Sequence, residues 1–203
     1  MQIAAEPLHA NELKRFGISG DVEQLEALFD KYGSSGGRIV KDPVPEQVED
    51  ACTAQLLKFY IANKDKHGFA QWPDELLDES PSLIGNLHIL EMTDHHSFKY
   101  RLFGSKVSAR YNRDDTGKEM PDHVNAIGVV FHSLYLAAGE TGCTFYTRHR
   151  PPPESPVNAC ERVILPFFKE DGSLDRLVVS HLPYQFSLIN RVNISEDLSR
   201  RLY

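Results

Sequence analysis

The chain has 203 residues, of which 41% are hydrophobic and 25% are charged, and its formal net charge is −7. These values are ordinary for a globular protein with a well-filled core, and they argue against a basic nucleic-acid-binding surface. No apolar run is long enough to span a bilayer, the N-terminus lacks a secretion signal, and three cysteines without paired spacing predict a reducing, cytoplasmic setting.

The first part of the chain has the signals of short helices. Asp21 stands in an N-cap position, and Gly33 ends the run of helically spaced apolar residues that follows it. A longer amphipathic helix is predicted at 46–64, after a flexible joint at 34–37. We therefore expect residues 1–67 to form a helical N-terminal extension outside the core domain.

Strand signals dominate the rest of the chain, around one long helix. The predicted elements are strands at 85–92 and 98–111 (the second bent at Gly104), a short helix at 118–123, a long helix at 125–139, strands at 143–150, 159–169 and 173–184, and a helical tail at 186–203. This order closes most simply as an α+β fold, in which helices cross one face of a five-stranded antiparallel sheet.

Two segments carry a family pattern. The matching residues are Phe98, Tyr100-Arg101, Gly104 and Thr116-Gly117 in the first segment, and Glu161-Arg162, Leu165-Pro166 and Asp171-Gly172 in the second. In this order and spacing they resemble the short, stand-alone PAS proteins of alphaproteobacteria, although Ser105 stands where those usually have threonine. The resemblance covers about 68–184. It implies a PAS-like sensory domain at 68–185, with ligand sensing or protein docking as its role and no catalytic residues.

A PAS-like fold would hold a ligand between its long helix and its sheet. The candidate cavity residues, all on the long helix or on strands, are Tyr100, Val130, Phe131, Leu134, Tyr135, Arg148, Arg162 and His181. Strand alternation groups Leu177, Val179 and His181 on one face without telling which face points inward. An inward-facing arginine would most naturally bind a carboxylate.

Two prosthetic groups can be compared with the pattern. In some haem-binding PAS domains a histidine of the long helix is the iron ligand, and His132 is the candidate here. At about 100° per residue it lies roughly 140° from the apolar direction of the helix, so we expect it to face away from the apolar stripe. Flavin photosensors of this fold resemble one another in an Asn-Cys pair, whereas Asn112 is followed here by Arg113.

Other chemistry has little support in the sequence. Asp94, His95 and His96 are adjacent, but consecutive residues on a turn rarely converge on one metal ion, so we expect no metal site there. The chain has no Gly-x-Ser-x-Gly motif, no Walker loop and no cysteine with a fixed histidine partner. The sequence therefore predicts a protein that is not an enzyme.

The resulting expectation is a cytoplasmic sensory protein that binds a small ligand and acts by docking, without an output domain of its own. It would dock as a homodimer or to a signalling partner, through the helix at 21–32 and the outer face of the sheet, and would contact neither nucleic acid nor membrane. Two alternatives stay open. One is a haem- or other prosthetic-group-binding sensor, and the other is a small-molecule enzyme on an α+β cone scaffold, which needs paired acid and base groups in a pocket.

Overall fold

The computed structural model describes residues 9–65, 68–72, 81–93, 97–120 and 127–184. In these residues, five α-helices pack on a six-stranded antiparallel sheet. The helices are α1 (Ala10–Ser19), α2 (Glu23–Lys31), α3 (Ala51–Ala62), α4 (Ser105–Tyr111) and α5 (Gly128–Thr141). The strands are β1 (Ser35–Lys41), β2 (Leu87–Met92), β3 (Phe98–Phe103), β4 (Phe145–Arg150), β5 (Ala159–Phe168) and β6 (Leu174–Tyr184). Short 3-10 helices span Pro45–Gln47 and Pro81–Asn86.

The strands lie in the order β1-β4-β5-β6-β2-β3. The three C-terminal strands form a meander at the centre, the β2–β3 hairpin joins it through β6, and β1 pairs with the outer edge of β4. Residue 162 at the middle of β5 lies opposite Thr147 on β4 and opposite His181 on β6. This register fixes which side chains meet at the candidate site.

The sixth strand is a correction to the predicted sheet of five. β1 spans 35–41, where two glycines suggest a flexible joint. Ile39 and Val40 nevertheless pair with β4, and the glycines do not prevent backbone hydrogen bonds to the edge of that strand. The described residues of the expected N-terminal extension therefore contribute a strand to the sheet and apolar side chains, such as Leu25 and Phe29, to its core.

One face of the sheet is covered by α1, α2 and α5. The apolar cluster on this face joins the buried side of α5, including Leu134, to Phe145, Ile164 and Leu177 of three strands. Helix α1 lies directly on α5, close enough that a side chain at Gly17 would meet Ala137 at 3.0 Å. Every residue of α5 from Val129 to Ala138 is buried, so the helix is covered on all sides and is the central helix of this layer.

The other face is covered by α3, so the prediction of helices on one face only is wrong. Asp50 caps α3 by accepting a hydrogen bond from the Thr53 N–H at 2.7 Å. Leu57 and Tyr60 of α3 then pack in a second apolar cluster with Val163 and Phe167 of β5. Because α3 stands on the centre of the sheet, this face is not free for docking.

The segment predicted as a strand at 98–111 divides into β3 and α4. Gly104 is not a bulge but the residue before α4, where the chain crosses so close to Gly85 that a Cβ would lie 2.4 Å from the Gly85 carbonyl oxygen. Only glycine fits there. Residues 118–120 are not helical, and Glu119 instead forms a bridge with Lys99.

The other predicted strands agree with the observed ones within two residues, whereas the helix predicted at 46–64 is shorter and spans Ala51–Ala62, and Val22 rather than Asp21 stands at the N-cap of α2. The long helix begins at Gly128 rather than at 125 and ends at Thr141, where Gly142 adopts a left-handed conformation with φ 75°. The expected turn at 94–96 and the helical tail at 186–203 lie outside the described residues. Within the described chain, no helix is both long and apolar enough to cross a membrane.

Candidate functional site

A cavity of about 580 Å³ lies between the N-terminal half of α5 and one end of the sheet. Its lining residues come from four sources, listed by segment: Ile127, Gly128, Phe131 and Tyr135 at α5; His88, Tyr100, Phe103, His149, Arg162 and His181 on strands; Tyr111, Arg113, Asp115, Lys118, Glu119 and Met120 after β3; and Pro151, Pro152 and Ser155 after β4. The volume is in the range of sites for small molecules.

Strand alternation and register bring three polar residues to the wall of this cavity. On β5, Arg162 points to the α5 face because its neighbour Val163 belongs to the opposite core. His181 lies directly across from it on β6, and His149 is the next residue on the same face of β4 after the one opposite Arg162. An arginine and two imidazoles thus stand on three adjacent strands.

Five of the eight candidate ligand-binding residues line the cavity: Tyr100, Phe131, Tyr135, Arg162 and His181. Val130 and Leu134 are fully buried in the apolar cluster of α5 instead. Arg148 lies on the face opposite to the cavity, where it forms an ion pair with Glu49. Of the two candidate arginines, only Arg162 therefore faces the cavity.

Several lining residues were missed in the sequence. His88 and His149 sit on correctly predicted strands, but which face of those strands points inward could not be read from alternation alone. The sequence predicts a strand up to Tyr111, whereas this residue ends helix α4, and its hydroxyl lies 3.1 Å from Cys160 Sγ. The sequence signal for His149 is that it lies two positions after Thr147, which places both side chains on the same face of the strand.

Among the residues that the structure describes, Arg162 is a buried cation without a carboxylate partner. Its side chain is 9% exposed, Nη2 lies 3.0 Å from His181 Nε2, and the guanidinium carbon lies 3.8 Å from the centre of the Phe131 ring. Nη1 has no hydrogen-bond partner. The ring face of Phe131 offsets part of the cost of burying the charge, but an unmatched guanidinium donor remains at the cavity.

The acidic residues of the cavity are Asp115, which is half-buried, and Glu119, which is exposed. Asp115 forms ion pairs with two cations, Arg113 at 2.7 Å and Lys118 at 3.0 Å. Within the described residues, neither carboxylate forms an ion pair with Arg162.

The histidines of the cavity are uncharged at neutral pH. Burial, followed by the charge of Arg162, lowers the pKa of His88 to about 3 and that of His149 to about 2. The same causes, with further repulsion from His88, hold the pKa of His181 well below its usual range. Burial also raises the pKa values of Tyr100, Tyr111 and Cys160, so these groups keep their protons.

His132 does not belong to this site. It is fully buried, its ring packs edge-to-face against Phe98 at 6.0 Å, and it does not line the cavity. The sequence placed it away from the apolar stripe, but α5 is buried all round, so its side is also covered. In the part of the chain that the structure describes, no three histidine, cysteine, aspartate or glutamate side chains are grouped as a metal site would require.

Comparisons with protein-family models, with curated proteins and with solved structures found no match to this chain.

Proposed function

We propose that this chain is a sensory protein of the PAS type, which binds a small molecule in the cavity under α5 and passes its occupancy to a bound partner. The observation that carries the proposal is the cavity itself, whose wall combines aromatic side chains with a buried arginine that has one nitrogen without a hydrogen-bond partner. Sites for small ligands combine a mostly apolar lining with a few placed polar groups in this way.

The order of elements supports the same proposal. From Leu87 to Tyr184 the chain runs as a hairpin, a short helix, the long helix α5 and three antiparallel strands. This is the order that the PAS resemblance implies, and the cavity lies where such a fold would hold a ligand, between the long helix and the sheet. Strand β1 and helices α1 to α3 are additions to it.

Acid–base groups are present in the cavity, as the alternative of a small-molecule enzyme requires, but their pKa values favour binding. General acid–base catalysis works best when the pKa of the group is near the working pH. Here the histidine pKa values move down and those of the tyrosines and of Cys160 move up, so none is poised near neutrality. For the haem-sensor alternative, the candidate ligand His132 stands away from the cavity.

The partner remains part of the proposal, but its surface differs from the two predicted ones. The outer face of the sheet lies under α3, and the apolar stripe of the helix at 21–32 packs on the chain's own sheet through Leu25 and Phe29. A second copy of the chain or a signalling protein would have to bind elsewhere. A ligand shifts such an interaction only by its difference in affinity for the two states.

The test is to look for a ligand and then to block its site. Native mass spectrometry and an absorption spectrum of the purified protein report any molecule that it retains, and ligand-observed NMR with a fragment library finds binders if it retains none. The substitution Ser155→Trp should fill the cavity mouth and weaken binding at least about tenfold. Ser35→Trp, which adds the same side chain on the exposed end of β1, is the matched control and should bind normally.

Two results would overturn the proposal. One is the absence of both a retained molecule and any fragment that binds. The other is fragment binding of equal strength in Ser155→Trp and wild type, since the molecules would then occupy a different place.

A further inference from the structure

Two buried side chains of the cavity wall, both near the ring of Phe131, each have one nitrogen without a hydrogen-bond partner. Arg162 lies over the ring of Phe131, and its Nη1 lacks a hydrogen-bond partner. The imidazole of His149 lies 5.6 Å from the same ring, is 3% exposed, and has no partner for its Nδ1. Because buried polar groups are nearly always hydrogen-bonded, two such groups beside one cavity indicate the place of a ligand's polar end.

The charge of the lining selects the ligand's polar end. Arg162 is the only buried charged residue among the described lining residues, since Arg113 and Lys118 stand at the rim and are already paired with Asp115. A single buried cation matches a single negative charge, whereas a phosphate dianion would leave one charge unmatched inside. The planar fork of arginine also suits a carboxylate.

The remaining lining selects the ligand's body. Around the arginine stand the aromatic rings of Tyr100, Phe103, Phe131 and Tyr135, with Ile127 and two prolines nearer the mouth. Such walls favour a short aliphatic chain or one aromatic ring over a sugar or a polar peptide.

We propose that the cavity binds a small organic monocarboxylate, with its carboxylate on Arg162 and its apolar body against the aromatic lining, and that binding reverses the tautomers of the His181–His88 pair. The inference deepens the proposed function and rests on it.

The tautomer reversal follows from a mismatch in the free protein. His181 Nε2 lies 3.0 Å from Arg162 Nη2, His181 Nδ1 lies 3.0 Å from His88 Nε2, and His88 Nδ1 lies 3.4 Å from the Gly104 N–H. A neutral imidazole offers one donor and one acceptor, so a chain of two has one donor end and one acceptor end. Here the nearer outer partners, a guanidinium and an amide, are both donors, while the Tyr111 hydroxyl, 3.5 Å from His181 Nε2, can donate or accept.

The short contacts decide which end is satisfied. If Arg162 donates to His181 Nε2 and His181 Nδ1–H donates to His88 Nε2, His88 carries its proton on Nδ1. The longest of the three contacts, in which the Gly104 N–H is aligned to donate to His88 Nδ1 at 3.4 Å, then has no acceptor in the free protein. A carboxylate on Arg162 gives His181 Nε2–H an acceptor. The chain then runs the other way, and His88 Nδ1 accepts the Gly104 N–H, directly before α4. Occupancy of the cavity is thereby linked to the start of that helix.

The first experiment measures binding of hexanoate, benzoate and phenylacetate by calorimetry and ligand-observed NMR, each against its neutral amide, with inorganic phosphate alongside. At least one acid should bind ten times or more tightly than its amide. Arg162→Met should weaken that acid about 10- to 100-fold and should weaken the neutral amide much less. Arg148→Met is the matched control, because Arg148 lies on the neighbouring strand but faces away from the cavity.

The second experiment uses the wild-type protein, so it does not depend on a variant folding. Two-bond ¹H–¹⁵N spectra of labelled histidines distinguish the two tautomers. Without ligand, His181 and His88 should both carry their proton on Nδ1, and with saturating acid both should carry it on Nε2. Tautomers that stay unchanged on saturation would overturn the coupling to Gly104.

The outcomes separate this inference from the proposed function. If amides bind as tightly as acids, or if Arg162→Met binds the acid as tightly as wild type, the carboxylate site is overturned while ligand binding in the cavity stands. If phosphate competes with the acid at equal strength, the preference for a monoanion is overturned. If neither acids nor amides bind, the monocarboxylate is overturned, and the fragment screen with Ser155→Trp then decides the function separately.

Discussion

The two faces of the sheet each bury an ionisable residue, and these are neighbours on β5. Arg162 faces α5 and has a cavity beside its unpartnered Nη1. Glu161 faces α3, is 1% exposed and does not line the cavity; its Oε1 accepts a hydrogen bond from the Asp50 N–H at 3.2 Å, and its Oε2 has no partner. The same strand thus buries an arginine on one side and a glutamate on the other, each with one polar atom that has no hydrogen-bond partner.

The two buried groups differ in whether they can lose their charge. Burial, with repulsion from Asp50 and Glu49, raises the pKa of Glu161 to about 7, so this carboxyl group can bind a proton and lose its charge. A guanidinium cannot lose its proton in a protein. The α3 face can therefore be complete in itself, whereas the α5 face is complete only with an anion.

The largest expected effect tests whether the two faces are equally well packed. Phe145 on the α5 side and Phe167 on the α3 side are both fully buried. We expect Phe145→Ala and Phe167→Ala each to lower the free energy of unfolding by about 3–5 kcal/mol, measured in urea. Ile84→Ala, at an exposed position, is the control. A much smaller loss for Phe145→Ala would show that the cavity loosens the whole α5 face.

The next effect concerns Glu161 and pH. Its folded pKa lies above the ordinary 4.5. Below pH 4.5 the carboxyl group is protonated in the folded and unfolded states, so no charge is buried, and stability is lost as pH rises through the folded value of about 7. Glu161→Gln has no charge to bury. Relative to wild type, its free energy of unfolding should therefore rise by roughly 1–3 kcal/mol between pH 4.5 and pH 8. Parallel stability curves for the two proteins would refute the raised pKa.

The α5 face should show the opposite slope. The folded pKa values of His88 and His149 lie below the ordinary 6.5. Above pH 6.5 both imidazoles are neutral in the folded and unfolded states, and stability is lost as pH falls from 6.5 toward 3. Because the charge of Arg162 adds to this lowering, Arg162→Met should lose less stability between pH 7 and pH 4, by about 1 kcal/mol. Arg148→Met should retain the wild-type slope, and an unchanged slope in Arg162→Met would contradict the prediction.

The smallest effect concerns the helix over the Glu161 face. Asp50→Ala removes the side-chain cap of α3 and should lower the free energy of unfolding by about 1 kcal/mol. Asp50→Asn keeps a capping oxygen and should restore most of the loss. Thermal unfolding of both variants at pH 8 measures the difference, and equal losses would show that the carboxylate charge, rather than the cap, is what matters.

Much of the architecture could be predicted from the sequence, for physical reasons that particular elements show. The strands β4, β5 and β6 were placed within a few residues because alternating apolar residues and the Asp171-Gly172 turn are local signals. The strand β1 was missed because its hydrogen bonds come from β4, far along the chain. The position of α3 on the second face was missed for the same reason.

The candidate site was predictable only in part. Side-chain type pointed to Arg162 and His181, but strand alternation leaves two faces open, and Arg148 was equally eligible. Packing on α5 decides between them. Arg162 Nη1 lacks a partner because of the residues that surround it in the folded protein, and no sequence pattern predicts this.

The strand order has a consequence for how the chain folds. The meander β4–β5–β6 is built from neighbours in sequence, whereas β1 and the β2–β3 hairpin join it from distant parts of the chain. Closing such long loops before their contacts form is slow, so we expect refolding in milliseconds to seconds, with the meander formed early and β1 docking last. A destabilising change in β1, such as Ile39→Ala, should then accelerate unfolding far more than it slows refolding.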